Sequence, residues 1–345
     1  MRVFVTGASG FIGSAVVTEL LSHGHAVVGL ARSDESAATI AAAGAEVQRG
    51  DLNDPSTLRA AAEGADGVIH LAFIHDFTDV EAFGRSIATD GTAVETLVDA
   101  LAGTNKPLVL TSGVLGLSVA AGAELATEHD EPLPGGMASH RSGSATVKAA
   151  AERGVRASVV RLSPSVHGEG DVHGFVPTLV HLARTTGTSG YVGDGATVWP
   201  GVHRSDAAAL YRLVLESAPA GSVLHGVGEP GVPTREIAEL LGEQLDLPVA
   251  SIDPADAGEH FGWFAMPLTS GVPVSNAATR ALLGWEPTGP TLRDDLASGG
   301  LHGRAGRVSA DAPVARRHGA RADPRAPTPR PTRSAHHAGP TSLGA

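Results

Sequence analysis

The chain has 345 residues, 42% of them hydrophobic, and a formal net charge of −12, with 16 histidines and no cysteine. So much apolar material supports a large core, yet no run reaches the roughly 18 apolar residues of a membrane span. The missing cysteines exclude disulfides and thiolate chemistry, no helical His-x-x-x-His or His-Glu-x-x-His spacing marks a metal site, and the acidic balance argues against nucleic-acid binding by the folded body.

The N-terminus enters a strand at once, with no basic segment leading an apolar one, which predicts no secretory signal and a cytoplasmic protein. Arg2-Val3-Phe4-Val5-Thr6 reads as a short buried strand, and Gly7-Ala8-Ser9-Gly10-Phe11-Ile12-Gly13 turns from it into an apolar helix over 11–22. In that order the glycines have distinct uses. Gly7 can take the tight turn, Gly10 lets backbone approach a pyrophosphate, and Gly13 lets the helix lie close to the sheet. The helix N-terminus offers free N–H groups to phosphate, so Gly7, Ser9, Gly10, Phe11, Ile12 and Gly13 are candidate cofactor-binding residues. A second strand over 25–30 leads into Ala31-Arg32-Ser33. A carboxylate at this place accepts from the adenosine ribose hydroxyls, whereas an arginine pairs with a 2′-phosphate. Arg32, nineteen residues beyond Gly13, favours NADP over NAD, with Asp34 as the competing ribose partner.

Strand patterns recur at 45–48, 67–71, 107–111, 156–161 and 222–227, with helical patterns at 34–43, 55–62, 79–102, 138–153 and 205–217. This alternation predicts an α/β fold, a Rossmann-type doubly wound parallel sheet. It is interrupted by 163–200 and, after Gly228, by a helical, proline-punctuated stretch to about 298. From Gly299 onward eight arginines stand against two aspartates, a local +6 that leaves −18 on the rest of the chain. That Arg-, Pro-, Ala- and Gly-rich tail, 299–345, reads as disordered.

The Gly-x-x-Gly-x-x-Gly spacing is joined downstream by Asp51-Leu52, Leu71-Ala72, Thr111-Ser112-Gly113, Val160-Arg161-Leu162, His203-Arg204-Ser205-Asp206 and Leu283-Gly284-Trp285. Over residues 1–298 these segments resemble the extended short-chain dehydrogenase/reductases, a group that includes sugar-nucleotide epimerases, dehydratases and dihydroflavonol-type reductases. The resemblance implies a dinucleotide-binding domain over 1–165 and 202–228 and a small discontinuous substrate-binding lobe over 166–201 and 229–298. It also places Asp51 and Leu52 against the adenine, and Leu71, Ala72 and Phe73 beneath the cofactor. His203 and Asp206 would order the floor of the lobe, with Asp206 capping the following helix. In that family a helix pair such as 79–102 and 138–153 often mediates dimers, so the resemblance makes a homodimer one expectation and leaves the oligomeric state open.

Proton chemistry in that family rests on a Tyr-x-x-x-Lys pair before the sixth strand and a Ser or Thr ending the fifth. The lysine lowers the tyrosine pKa, and the tyrosine exchanges a proton with the substrate oxygen. Only Tyr191 and Tyr211 exist here, neither four residues before a lysine and both beyond the sixth strand. Ser144 stands at the tyrosine's spacing from Lys148 but is shorter and a far weaker acid. Thirteen residues separate Lys148 from Arg161, fewer than is usual in the family, and a more typical interval lands near Gly135 and Ser139. Thr111 and Ser112 stand where ligands bind in such sheets, with Gly113 as a competing alignment for the family's hydroxyl. The candidate catalytic residues are therefore Ser112, Thr111, Ser144 and Lys148. His75, Asp76, His140, Arg141 and His167 are further polar groups that could protonate a carbonyl oxygen.

Gly190-Tyr191-Val192-Gly193-Asp194-Gly195, Trp199-Pro200-Gly201-Val202-His203 and Phe261-Gly262-Trp263-Phe264-Ala265-Met266 read either as an aromatic wall for a small ligand or as lobe core. The expectation is an NADP(H)-dependent reductase of a small carbonyl compound or alcohol, lacking the usual tyrosine. A non-enzymatic NADP(H) sensor and a sugar-nucleotide epimerase or dehydratase are the alternatives.

Overall fold

The computed structural model describes residues 1–76, 78–119, 122–133 and 143–299. The predicted sites at Gly135, Ser139, His140 and Arg141, the start of the 138–153 helix and the tail from 300 onward lie outside the described residues. In chain order the elements begin β1 (Arg2–Thr6), α1 (Phe11–Ser22), β2 (Ala26–Ala31), α2 (Asp34–Ala42), β3 (Glu46–Arg49) and α3 (Pro55–Glu63). There follow β4 (Gly67–His70), α4 (Val80–Leu101), β5 (Pro107–Gly113), α5 (Ser144–Glu152) and β6 (Arg156–Leu162). Beyond these lie β7 (Ser165–His167), α6 (Phe175–Thr186), β8 (Ser189–Val192), β9 (Val198–His203), α7 (Arg204–Ser217) and β10 (Ser222–Gly226). The described chain closes with β11 (Glu229–Pro233), α8 (Thr234–Leu245), β12 (Val249–Ile252), α9 (Ala257–Phe261), α10 (Ala265–Thr269), α11 (Ala277–Leu283) and α12 (Leu292–Ser298).

Seven strands form one parallel sheet in the order β10-β6-β5-β4-β1-β2-β3. Strand order reverses beside β1, which puts a crevice at the carboxyl ends of β1 and β4. The strands are apolar on both faces because helices cover both. Val3 and Val5 pack with Val16, Leu20, Leu210 and Val214 on the side of α1 and α7. Phe4, Val68 and Leu110 pack with Leu58, Leu97 and Val147 on the side of α3, α4 and α5. The period-two alternation of side chains therefore decides which half of the core each residue joins.

Helix entry is set by local chemistry. Asp54 caps α3, accepting from the backbone N–H groups and hydroxyls of Ser56 and Thr57, and these bonds hold its carboxyl down to about 2. Ser33 and Asp79 cap α2 and α4 in the same way.

β5 runs to Gly113 rather than ending at 111, because Ser112 and Gly113 pair with Arg161 and Leu162 of β6. The stretch after Gly228, expected to be helical, contains two strands. β11 pairs antiparallel with β9, and β12 pairs parallel with β8. Pro230 and Pro233 are tolerated because β11 is an edge strand and proline's missing N–H breaks no ladder there. Val176, Leu179 and Trp199 share one apolar cluster with Ile237, Phe264 and Leu296, so two separated stretches of chain meet in a second core. No described helix is long and apolar enough to cross a membrane.

Candidate functional site

The glycine turn lies at the carboxyl end of β1. Gly7 has φ +73°, and a Cβ there would stand 2.9 Å from the backbone nitrogen of Ala72. At Gly13 a Cβ would fall 1.9 Å from the Gly7 carbonyl oxygen. Both glycines are thus required by close backbone approach, one against the segment that follows β4 and one against the turn itself. Gly10 donates to the Gly7 carbonyl at 3.0 Å and occupies the cap position of α1, where no side chain caps the first turn. The helix therefore begins with open backbone donors and the positive end of its dipole, an arrangement that fits a pyrophosphate.

Beneath this turn lies a buried polar relay. The Ala72 N–H donates to Thr6 Oγ1 at 3.2 Å, Thr6 Oγ1 lies 2.8 Å from His70 Nδ1, and His70 Nε2 lies 3.3 Å from Asp90 Oδ1. A carboxylate only accepts, so the network assigns the ring proton to Nε2 and makes the Thr6 hydroxyl a donor to Nδ1. Sequence reasoning assigned none of the three a role. A signal was present on α4, whose buried stripe Ala82, Ser86, Asp90, Ala93, Val94 and Leu97 carries a carboxylate among apolar residues.

At the end of β2, Arg32 is exposed and makes no hydrogen bond or ion pair among the described residues. Asp34 is engaged by Arg49 of β3 at 2.7 Å. The Asp51 carboxylate accepts from the backbone and side-chain nitrogens of Asn53, closing the turn toward α3, and Leu52 packs into the core beside α3 and α4. Leu71 packs on the α1 side of the sheet and Ala72 on the α4 side. The Phe73 ring meets those of His75 and Phe83 edge-on. Asp76 holds Thr78 through its hydroxyl and backbone N–H, which lowers its pKa and orders the approach to α4.

The two hydroxyls ending β5 face opposite sides. Thr111 points toward α7, where its Oγ1 donates to the His70 carbonyl at 2.8 Å and meets the Tyr211 hydroxyl at 2.8 Å. It is buried and bonded to both groups, and Ser112 and Tyr211 are buried as well. Ser112 lies opposite Arg161 in the β5–β6 ladder, on the face toward α5. Arg161 is itself buried, donating to the Asp130 carbonyl at 2.7 Å and the Glu131 carboxylate at 2.9 Å, with burial lowering its pKa. Ser144 and Lys148 instead line a groove of about 390 Å³ with Glu128, Glu131, Ser222 and Leu282 at the β10 edge. Ser112 and the glycine turn are not among the residues that line that groove.

Several lobe residues take other roles than expected. His203, not Asp206, caps α7, its Nδ1 accepting from the Ser205 N–H. The Asp206 carboxylate accepts instead from the backbone of Thr288 and Gly289, because it projects from the first turn toward the segment after α11. His167 is buried, bonded to Asp295 at 2.6 Å, and burial lowers its pKa. Trp199 lies in β9, its indole N–H donating to the Pro267 carbonyl at 2.9 Å. With Phe175 and Phe264 it fills lobe core, whereas Trp263 and Met266 are exposed. Arg204 joins the two parts of the chain. Its guanidinium lies 4.5 Å over the Phe11 ring, donates to Ser14 Oγ at 2.9 Å, and donates to the Glu169 carbonyl at 2.8 Å. Among the described residues no cluster of His, Asp or Glu could hold a metal ion.

A parallel Rossmann sheet with a glycine turn feeding an uncapped helix defines a dinucleotide-binding protein. Residues 3–225 match the model of the NAD dependent epimerase/dehydratase family, and the chain belongs to that family. An uncharacterised protein of Schizosaccharomyces pombe is 45% identical over 300 residues, spanning 86% of this chain and 99% of its own. The 4-hydroxy-2-methyl-3-oxo-4-farnesyl-3,4-dihydroquinoline-1-oxide ketoreductase of Stigmatella aurantiaca is 29% identical over 327 residues, covering 90% of this chain and 93% of its own. In fold the chain is similar to DesIV, a dTDP-glucose 4,6-dehydratase from Streptomyces venezuelae with NAD bound. The TM-score is 0.70 at 22% identity over 87% of this chain and 96% of that one.

Proposed function

We propose that this protein is an NADP(H)-dependent oxidoreductase that reduces a small carbonyl compound. The observation that carries the reading is Arg32, an exposed guanidinium with no partner among the described residues, at the end of β2 beside a glycine turn shaped for a dinucleotide. A nicotinamide held there supplies the hydride. The chain's own contribution is binding and polarisation. Gly7, Ser9, Gly10, Phe11, Ile12 and Gly13 hold the pyrophosphate, Arg32 takes the 2′-phosphate, and Asp51 and Leu52 flank the adenine. Leu71, Ala72 and Phe73 form the floor, and Ser112 donates a hydrogen bond to the substrate oxygen. Similarity to a ketoreductase over nearly the whole chain supports the direction of the reaction.

A second reading is a non-enzymatic NADP(H) sensor. Its support is that Tyr211 is buried with its hydroxyl bonded to Thr111, that Tyr191 sits in the lobe strand β8 beneath Arg235, and that neither precedes a lysine by four residues. Sugar-nucleotide epimerisation or dehydration has weaker support, since those reactions lean on the tyrosine.

The test is fluorescence titration with NADPH and NADH, repeated with Arg32→Ala, followed by a panel of aldehydes and ketones. Tight NADPH binding, selective loss in Arg32→Ala and turnover of a carbonyl are expected. Binding without turnover favours the sensor, and a preference for NADH overturns the role given to Arg32.

A further inference from the structure

The acid nearest the end of β2 is already occupied. Asp34 opens α2, and its carboxylate accepts from Arg49 Nη2 at 2.7 Å, while Nη1 of the same guanidinium donates to the Ser33 carbonyl at 2.6 Å. Sheet register brings these groups together. Ala31 pairs with Arg49 in the parallel β2–β3 ladder, so Arg49 leaves the sheet beside the residues that follow Ala31. Positions 32 to 34 therefore present a cation with no partner among the described residues and one compensated acid.

An acid at this place favours NAD(H) in two ways: it accepts from the ribose hydroxyls, and it repels a 2′-phosphate. A guanidinium bound to it opposes both effects, engaging a carboxylate oxygen and cancelling the charge. We infer that Arg49 is a specificity-determining positioning residue, which holds Asp34 so that Arg32 can receive the 2′-phosphate of NADP(H). This deepens the NADP(H) reading above and rests on it. The pair is exposed and adds little to stability, so its effect is on local potential. A phosphate a few ångströms from a carboxylate stripped of its partner loses roughly 3- to 10-fold in affinity at moderate salt.

The experiment measures NADPH and NADH dissociation constants for the full chain, Arg49→Ala, Asp34→Asn and the double variant, with thermal melts confirming that each is folded. Arg49→Ala is expected to weaken NADPH roughly 3- to 10-fold while leaving NADH unchanged or tighter. Adding Asp34→Asn should recover most of that loss, and the NADPH deficit should shrink as salt is raised. Equal weakening of both cofactors, or a loss that persists in the double variant, would overturn the inference by showing that Arg49 supports the strand end or touches the phosphate itself. Should the unmodified chain prefer NADH, the Arg32 reading fails at that first step and takes this inference with it.

Discussion

The Thr6 hydroxyl and the His70 imidazole meet 2.8 Å apart beneath the glycine turn, one from the first strand and one from its parallel neighbour. Because Thr6 also accepts from the Ala72 N–H and His70 reaches Asp90, the relay ties the floor of the cleft to α4. His70→Ala should cost about 2–3 kcal/mol, since it leaves buried partners unsatisfied and opens a cavity. Thr6→Val should cost about 1–2 kcal/mol, because valine preserves shape but not the bonds. Urea denaturation checks both. Losses within about 0.5 kcal/mol would show that the relay does not support the floor.

Glycines of this chain should respond to alanine in opposite directions. At Gly13 the added Cβ would collide with the Gly7 carbonyl oxygen, a backbone atom that cannot yield cheaply, so Gly13→Ala should lose at least about 2 kcal/mol and cofactor binding with it. Gly84 and Gly91 lie within α4 with nothing near the added Cβ, and alanine there should stabilise by about 0.5–1 kcal/mol. Thermal melts of the three variants compare them directly.

Adjacent hydroxyls on β5 should separate stability from turnover. Thr111→Val breaks the bonds to the His70 carbonyl and the Tyr211 hydroxyl and should cost about 1–2 kcal/mol. Ser112→Ala should leave the melting temperature near that of the unmodified chain while lowering kcat roughly 10- to 100-fold. Lys148→Ala, at the β10 edge, should change kcat by less than about 2-fold. Steady-state rates beside melting curves decide this, and a larger fall for Lys148→Ala than for Ser112→Ala would reverse the assignment.

Acid should weaken the fold between pH 7 and 5. Burial lowers the pKa of both His167 and His225 below the usual 6.5, so below that pH the unfolded chain binds protons that the folded one refuses. Stability then rises with pH across the window and is lost on acidification, by at most about 1.4 kcal/mol per pH unit for each histidine. Denaturation midpoints at several pH values should show that slope, and His167→Gln should flatten it. An unchanged slope in the variant would place the acid sensitivity elsewhere.

Where the sequence could be read, the chemistry was local. Gly7, Gly10 and Gly13 fall within one seven-residue turn, and the strand–helix alternation follows from hydrophobic period alone. Arg32 was equally legible, because its place depends only on where the second strand ends. The readings that failed depended on partners distant in the chain. Asp206 reads as a helix cap from its position at the start of a helix, yet its carboxylate is claimed by backbone more than eighty residues later.

The sequence by itself determined the strand–helix alternation, the glycine spacing and the cation that follows β2, since each is legible within a few residues. Only the tertiary structure decided that Thr111 faces α7 while Ser112 faces Arg161, that Asp34 is held by Arg49, and that Thr6, His70 and Asp90 form one relay. Strand register sets all three: a one-residue shift in pairing turns every side chain to the opposite face, and no local sequence signal states which strand will lie alongside.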